Sequence, residues 1–399
     1  MGVKRIKPNT IYNGDSLEVL KTLPDESINM VMTSPPYWAL RDYGTADWEG
    51  GDPNCDHIAN PSATKKFGNP EFNKNRPSRE ETKTAGYYEE ICPKCGAKKV
   101  DKQIGLEPTF NDYINQLCNI FDEVKRVLRK DGTCWVNLGD TYSSQSSYSA
   151  KGRQGYEGKT CNMKSLMNKR FDKKSYGGKA TNHDTTILGR GRNASAPEKS
   201  LCLIPFRFAI EMVNRGWILR NTIIWYKPNC MPSSVKDRFT VDFEYLFFFS
   251  KNKKYYFETQ YEPVQQSSIE RMGRKWGGSK HSKLGVHNNL QQEIEPEERM
   301  DKNRWLSEKG RNMRTVWKIS PKPFREAHFA VYPEKLCETP IKAGCPKGGI
   351  VLDPFFGAGT TGLVALKQSK KFVGIELNKE YIEIATKRLK PFMEQKILK

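Results

Sequence analysis

The sequence lacks long apolar runs, has few acidic residues for its basic ones, and has no internal repeat. No stretch approaches the roughly 20 apolar residues a membrane-spanning helix needs, so no membrane span is expected. The opening MGVKRIKPNT has no apolar core of the kind a secretory signal carries. Ten cysteines are present but scattered, and only Cys92 and Cys95 stand at a diagnostic spacing. A disulfide framework is therefore not expected, and mostly free thiols in a reducing cytoplasm are. Asp and Glu total 46 against 66 Lys and Arg, a formal charge of +20. Such a surplus favours a polyanionic partner, because basic groups displace counterions from phosphates. Charge alone does not choose among DNA, RNA and an acidic membrane.

What is present is an alternation of strand-like apolar runs with amphipathic stretches, which predicts a parallel α/β sheet. Strands are expected at Ile28–Thr33, Thr133–Leu138, Trp217–Tyr226, Glu244–Ser250, Ile350–Asp353 and Phe372–Glu376, with Lys254–Phe257 as a hairpin partner. Helices are expected over Phe110–Leu128, Pro205–Asn214, from about Thr360, and over Asn378–Leu389. The Lys130-Asp131-Gly132 turn is expected to close the first of these. Three polar stretches interrupt the pattern and read as insertions. The chain then divides into core at 1–44, 105–142, 200–257 and 313–399, and insertions at 45–104, 143–199 and 258–312.

Asp353-Pro354-Phe355-Phe356-Gly357-Ala358-Gly359-Thr360-Thr361-Gly362 follows a strand and opens a helix. Its glycines have G-x-G-x-x-G spacing, which lets backbone N–H groups at a helix start approach a ligand closely. Glu376 ends the next strand, where a carboxylate accepts hydrogen bonds from ribose hydroxyls. The pattern points to an adenosine-containing cofactor. A dinucleotide is the obvious rival, but too little chain follows Glu376 to complete a nicotinamide-binding domain in the usual order.

Thr33-Ser34-Pro35-Pro36-Tyr37-Trp38 also follows a strand. Two prolines fix the backbone and supply no N–H, while their carbonyls remain acceptors. Ser34 adds a hydroxyl acceptor, and Tyr37 and Trp38 add flat apolar faces. An exocyclic amino group is a poor nucleophile because its lone pair is delocalised into the ring. Acceptors that hold its N–H bonds favour a more pyramidal nitrogen, and an aromatic face holds a base that has left the helix.

Together these turns resemble those of the amino-methyltransferase family of bacterial, archaeal and phage DNA methylases. The catalytic turn comes first and the cofactor turn last, which is similar to the permuted β-group. Asn13-Gly14-Asp15-Ser16, Leu106-Glu107-Pro108-Thr109, Asn137-Leu138-Gly139-Asp140 and His328–Leu336 match further family segments. The resemblance implies an α/β fold of the Rossmann-like methyltransferase type, with a mixed seven-stranded sheet and one antiparallel edge strand. It implies S-adenosylmethionine as cofactor and a base flipped from double-stranded DNA. Carried over by position, Asp15, Asp353, Pro354, Phe355, Gly357, Gly359, Thr360, Thr361, Glu376 and Lys335 would bind or border the cofactor. Ser34, Pro35, Pro36 and Tyr37 would hold the target amino group. Serine at the first position of that turn leans to cytosine N4, with adenine N6 as the alternative. A cognate restriction enzyme, and a monomer or homodimer, are left open.

Cys92-Pro93-Lys94-Cys95-Gly96 is a C-x-x-C knuckle, and Cys55-Asp56-His57 supplies two further ligand types in the same insertion. That insertion has too few large apolar residues for a core of its own, so Cys55, His57, Cys92 and Cys95 are the expected ligands of a structural Zn²⁺. A redox pair or two ordinary thiols are the rival readings. His183, His281 and His287 read as surface imidazoles. The 258–312 insertion is the expected target-recognition region, with Arg271, Arg274, Lys275 and Lys280 toward phosphates or guanine edges. Two other classes stay in view: an RNA or protein methyltransferase on the same sheet, and a non-catalytic zinc-containing DNA-binding protein.

Overall fold

In the computed structural model, residues 6–38, 45–57, 91–107, 109–143, 196–197, 199–264, 267, 310–322 and 331–394 are described. In chain order they form β1 (Thr10–Asn13), α1 (Ser16–Thr22), β2 (Ile28–Thr33), β3 (Asp47–Glu49), β4 (Lys98–Val100), α2 (Phe110–Val127) and β5 (Leu128–Leu138). There follow α3 (Ile204–Asn214), β6 (Ile218–Tyr226), β7 (Phe243–Ser250), β8 (Tyr261–Glu262), β9 (Arg311–Asn312) and β10 (Val316–Lys318). The chain ends with α4 (Glu334–Gly344), β11 (Ile350–Asp353), α5 (Thr360–Lys367), β12 (Lys371–Glu376) and α6 (Lys379–Glu394). Two compact units emerge, one from 1–35, 118–139 and 208–399, the other from 36–117 and 140–207.

The first unit is organised by an eight-stranded sheet in the order β1-β12-β11-β2-β5-β7-β6-β10. Every neighbouring pair is parallel except the two that involve β7. The Rossmann-like α/β fold is as expected, with two differences. Val316–Lys318 adds an eighth strand beside β6, too short to show an alternation in sequence. The single antiparallel strand is β7, and it lies between β5 and β6 instead of at the edge. Its sequence, FEYLFFFS, is apolar at successive positions because both faces are covered. On one face Trp135 and Phe248 stack with centroids 4.0 Å apart, in a core with Leu336 and Ile341 of α4 and Leu363 of α5. On the other, Phe249 meets Phe208 and Trp217, and Phe208 meets Phe121 of α2.

The element ends show where local signals yield. Helix α2 begins as its sequence directs: Thr109 Oγ1 accepts from Asp112 N at 3.1 Å and donates to the Asp112 carboxylate at 2.7 Å. The Lys130-Asp131-Gly132 turn does not separate helix from strand. It lies inside β5, whose register against β2 jumps from Ile28↔Leu128 to Met30↔Thr133. Lys254–Phe257 is no strand; Tyr255 and Phe257 pack their rings on Phe248, so stacking replaces the expected ladder.

The insertions are closed at their necks by short antiparallel pairing. Asp47–Glu49 pairs with Lys98–Val100, Tyr142 bridges Leu201, and Tyr261–Glu262 pairs with Arg311–Asn312. The Asp140 carboxylate accepts from Leu203 N and Ile204 N across the second neck, capping α3.

Candidate active site and Cys/His cluster

The strand order places β11 beside β2, so the glycine turn and the Ser34 turn leave the carboxyl ends of adjacent parallel strands. In open α/β sheets this is where ligands bind, at the point where chain order reverses across the sheet. Asp353 links the two strand ends. It is fully buried, and its carboxylate accepts from Thr33 Oγ1 at 2.6 Å, Thr361 Oγ1 at 2.7 Å, Tyr332 OH at 3.0 Å and Phe355 N at 3.1 Å. Burial pushes its pKa up to about 6, against the opposing pull of those donors. With its oxygens committed to protein donors, Asp353 is a brace for the turn.

The glycines of the turn divide by role. Gly357 (φ 50°) faces open space, with nothing within 4 Å of where a Cβ would stand. Its N–H donates to Glu376 Oε2 at 2.7 Å. Gly359, Gly362 and Gly374 instead make room for the Phe356 ring, whose nearest atoms would lie 3.2, 2.6 and 2.4 Å from an added Cβ. Of the G-x-G-x-x-G spacing, Gly357 is therefore left open and Gly359 and Gly362 serve packing. Glu376 also accepts from Asn378 N at 2.9 Å, and burial raises its pKa against those backbone bonds. Asn13 pairs with Glu376 in the β1–β12 ladder, and its side chain donates to the Glu376 and Leu377 carbonyls. Asp15 caps α1 by accepting from Glu18 N at 3.0 Å, and the neighbouring Ser16 hydroxyl donates to Pro354 O. Asp15, Glu376 and the Gly357 turn are thus gathered at one edge of the sheet. Thr360 and Thr361 are buried, and Thr360 Oγ1 accepts from Arg388. Lys335 is exposed in the first turn of α4.

At the end of β2, Ser34 is half-buried and donates to Asn137 Oδ1 over 3.4 Å. Asn137 is oriented by its own bond to Tyr245 O at 3.1 Å. Pro35 is buried, and its carbonyl accepts no hydrogen bond from any described residue. The second unit begins at Pro36, whose carbonyl accepts from Tyr113 OH at 2.8 Å. Of the two proline carbonyls expected as acceptors, the second is thus committed to the protein.

A protein-family model described as DNA methylase matches residues 28–387. The Type II methyltransferase M.Cfr9I of Citrobacter freundii is 34% identical over 380 residues, covering 95% of this chain and 87% of that protein. The chain belongs to the DNA methylase family. M.SmaI of Serratia marcescens, also a Type II methyltransferase, is 33% identical over 95% of this chain and 90% of its own length. The solved PvuII DNA methyltransferase, described as cytosine-N4-specific, covers 98% of this chain and 92% of its own at TM-score 0.50 and 17% identity, a likeness of fold.

Within its second unit, the methylase gathers another group of side chains. Cys55, His57, Cys92 and Cys95 bring one ligand atom each within 4.8 Å of all the others. Arg271, Arg274, Lys275 and Lys280 lie outside the described residues, as do His328–Ala330 of the segment expected over the cofactor. Tyr332, from the same segment, is described, and burial holds its phenol well above its ordinary range, so it stays a donor to Asp353. Thr33 and Tyr332 belong to segments the sequence singles out, but their shared role does not show there, since they lie 320 and 21 residues from the carboxylate they share. The role of Glu107 is likewise not visible in the sequence. Glu107 is buried; Oε2 accepts from Gly105 N at 2.8 Å, Oε1 has no partner among the described residues, and burial raises its pKa. Among the described residues no helix is long and apolar enough to cross a membrane.

Proposed function

We propose that the methylase transfers a methyl group from S-adenosylmethionine to N4 of a cytosine flipped out of double-stranded DNA. Cytosine is favoured over adenine because serine stands first in the turn, as the family resemblance implies; the amino-group reading itself is carried by Ser34 at the end of β2. Its bond to the oriented Asn137 amide assigns the hydroxyl proton to Asn137 and puts the Ser34 oxygen in the acceptor role. Together with the Pro35 carbonyl it forms a pair of neutral acceptors suited to the two hydrogens of an amino group. Neutral acceptors hold that group without requiring a charged base, in keeping with a reaction governed by positioning.

The residues at the sheet edge fit the cofactor. Gly357 leaves room for close approach of a ligand to the backbone, and Glu376 lies beside it, at the position where a carboxylate receives ribose hydroxyls. Asp15 lies at the same edge, and the family resemblance gives an acid there the adenine contact. Asp353 holds Thr33, and through it the start of the Ser34 turn, in fixed relation to the glycine turn. When bound, S-adenosylmethionine supplies an electrophilic methyl group on a sulfonium. The chain's own task is to hold the amino nitrogen by its N–H bonds and to stack the base on Tyr37; the proton that the nitrogen sheds on becoming methylated passes to water. The Type II relatives support a role as the modification partner of a restriction enzyme.

Incubation with mixed-sequence duplex DNA and labelled S-adenosylmethionine, followed by nucleoside analysis, tests this directly. N4-methylcytosine is the expected product. N6-methyladenine would overturn the base assignment and keep the class. Folded protein that binds the cofactor but labels only RNA or protein would overturn the DNA substrate.

A further inference from the structure

We propose that Cys55, His57, Cys92 and Cys95 hold one structural Zn²⁺ ion that folds the insertion following the Ser34 turn. The distances fit tetrahedral coordination. Zn–S bonds of about 2.3 Å and a Zn–N bond of about 2.0 Å require edges of about 3.8 Å between sulfurs and about 3.5 Å from sulfur to nitrogen. Cys55 Sγ lies 3.9 Å from Cys92 Sγ, and Cys95 Sγ lies 3.3 Å from His57 Nδ1. The sulfur pair stands far beyond the roughly 2.05 Å of a disulfide bond.

The cluster is built, and each part has a local cause. Cys92–Ala97 is a tight knuckle: Gly96 N donates to Cys92 O at 2.9 Å, and Cys92 N donates to Ala97 O at 2.7 Å. Gly96 takes φ 75°, which closes that turn. Cys55 is held by its own turn, N to Asp52 O at 3.0 Å. Gly51 takes φ 72° and passes so close that a Cβ would lie 2.8 Å from Cys95 Sγ and 2.9 Å from Ala97 N. The His57 ring is oriented by Trp48, stacked with centroids 5.2 Å apart and planes 27° apart. The β3–β4 ladder joins the two ligand-bearing segments.

Apart from that short ladder and exposed ion pairs, the described residues of this insertion offer little to hold it. Its buried apolar side chains are Cys92, Ala97 and Ile104, while Ile91 is exposed. A core that small does not offset the chain entropy lost on folding, and a metal clip does. Three thiols and an imidazole are soft-to-borderline donors, which argues against Mg²⁺ and Ca²⁺ and for Zn²⁺. Four protein ligands complete the tetrahedron and leave no open position, so the ion is structural. On binding, the three thiols release their protons and the imidazole donates its lone pair, with no change of oxidation state. The insertion returns along Asp101–Gly105, and a Cβ on Gly105 would lie 3.0 Å from the Tyr37 carbonyl. Metal that secures the insertion therefore also backs the turn that carries Tyr37.

Full-length protein purified in reducing buffer without chelator should contain about one zinc per chain by elemental mass spectrometry. Titration with a mercurial should release that zinc into a colorimetric chelator. Refolding with Co²⁺ should give the visible absorption of a tetrahedral thiolate site. Paired Cys92→Ser and Cys95→Ser substitutions should lower zinc content at least about tenfold; Cys230→Ser should leave it unchanged. If the double variant does not fold, His57→Cys keeps the test open: it should retain zinc and strengthen the Co²⁺ thiolate band. Wild-type protein that carries no stoichiometric zinc, and takes up none on refolding, overturns the proposal. A Cys92–Cys95 disulfide in its peptide map would then identify a redox pair, and free thiols throughout would identify ordinary cysteines.

Discussion

The sheet edge around Asp353 and the insertion around Cys92 solve the same problem by opposite means. Each must hold a turn in a fixed shape for a task outside it. The sheet edge does so with a buried carboxylate and four protein donors inside a large core, and three glycines let Phe356 fill the space beneath. The insertion has almost no apolar interior and brings together three thiols and an imidazole, the ligands of the proposed zinc. The first turn should survive loss of any small molecule, and the second should not survive loss of its ion.

The largest test places the same substitution in both regions. Gly374→Ala drives a methyl group against the Phe356 ring, with three ring atoms at 2.4–2.7 Å, and Phe356 is itself buried. Overpacking of that kind should cost about 3 kcal/mol, measured by urea unfolding, and should not respond to zinc. Gly51→Ala presses on Cys95 Sγ instead and should weaken zinc retention, with the loss recovered at excess zinc. If both variants lose the same stability with and without zinc, the contrast fails.

A second test is pH. Asp353 has a folded-state pKa raised from 3.8 to about 6, so the folded protein binds its proton more tightly than the unfolded chain does. Its contribution to stability is full below about pH 4 and falls as pH rises to about 6, by at most about 3 kcal/mol. Over that range, stability measured without cofactor should shift in favour of Asp353→Asn relative to wild type. A constant difference between the two would show that the carboxylate does not titrate there.

A smaller effect is expected at Glu107. Its buried, half-partnered carboxylate is costly when ionised, so Glu107→Gln should raise stability near neutral pH by about 1 kcal/mol. Greater stability with lost methylation would mark Glu107 as a residue retained for function. The mildest expected change concerns Arg274 and Lys275. Replacing both with alanine should leave stability unchanged and lower the salt slope of DNA binding by about one to two. An unchanged slope would remove them from the DNA contact.

Much of the site was legible because its signals are local. The glycine spacing, the strand before it, the acid that ends the next strand and the Ser-Pro-Pro-Tyr turn are each carried by contiguous residues. The Cys/His cluster was legible for the same reason, as two short groups with recognisable spacing. The Lys130-Asp131-Gly132 turn shows the limit. Its composition signals a break, yet pairing with β2 and β7 on both sides draws it into a strand.

What the sequence determined by itself was the family of this protein, through a glycine turn with a spaced acid, a Ser-Pro-Pro-Tyr turn and a basic balance of charge, the two turns being set by residue types a few positions apart. Tertiary structure alone decided which of those groups remain available. Tyr113 takes the Pro36 carbonyl, Thr33 and Tyr332 take Asp353, and Phe356 takes the space above three glycines. The physical reason is burial. A polar group withdrawn from water must find a partner, and the partner is whichever residue the packed sheet brings within about 3 Å.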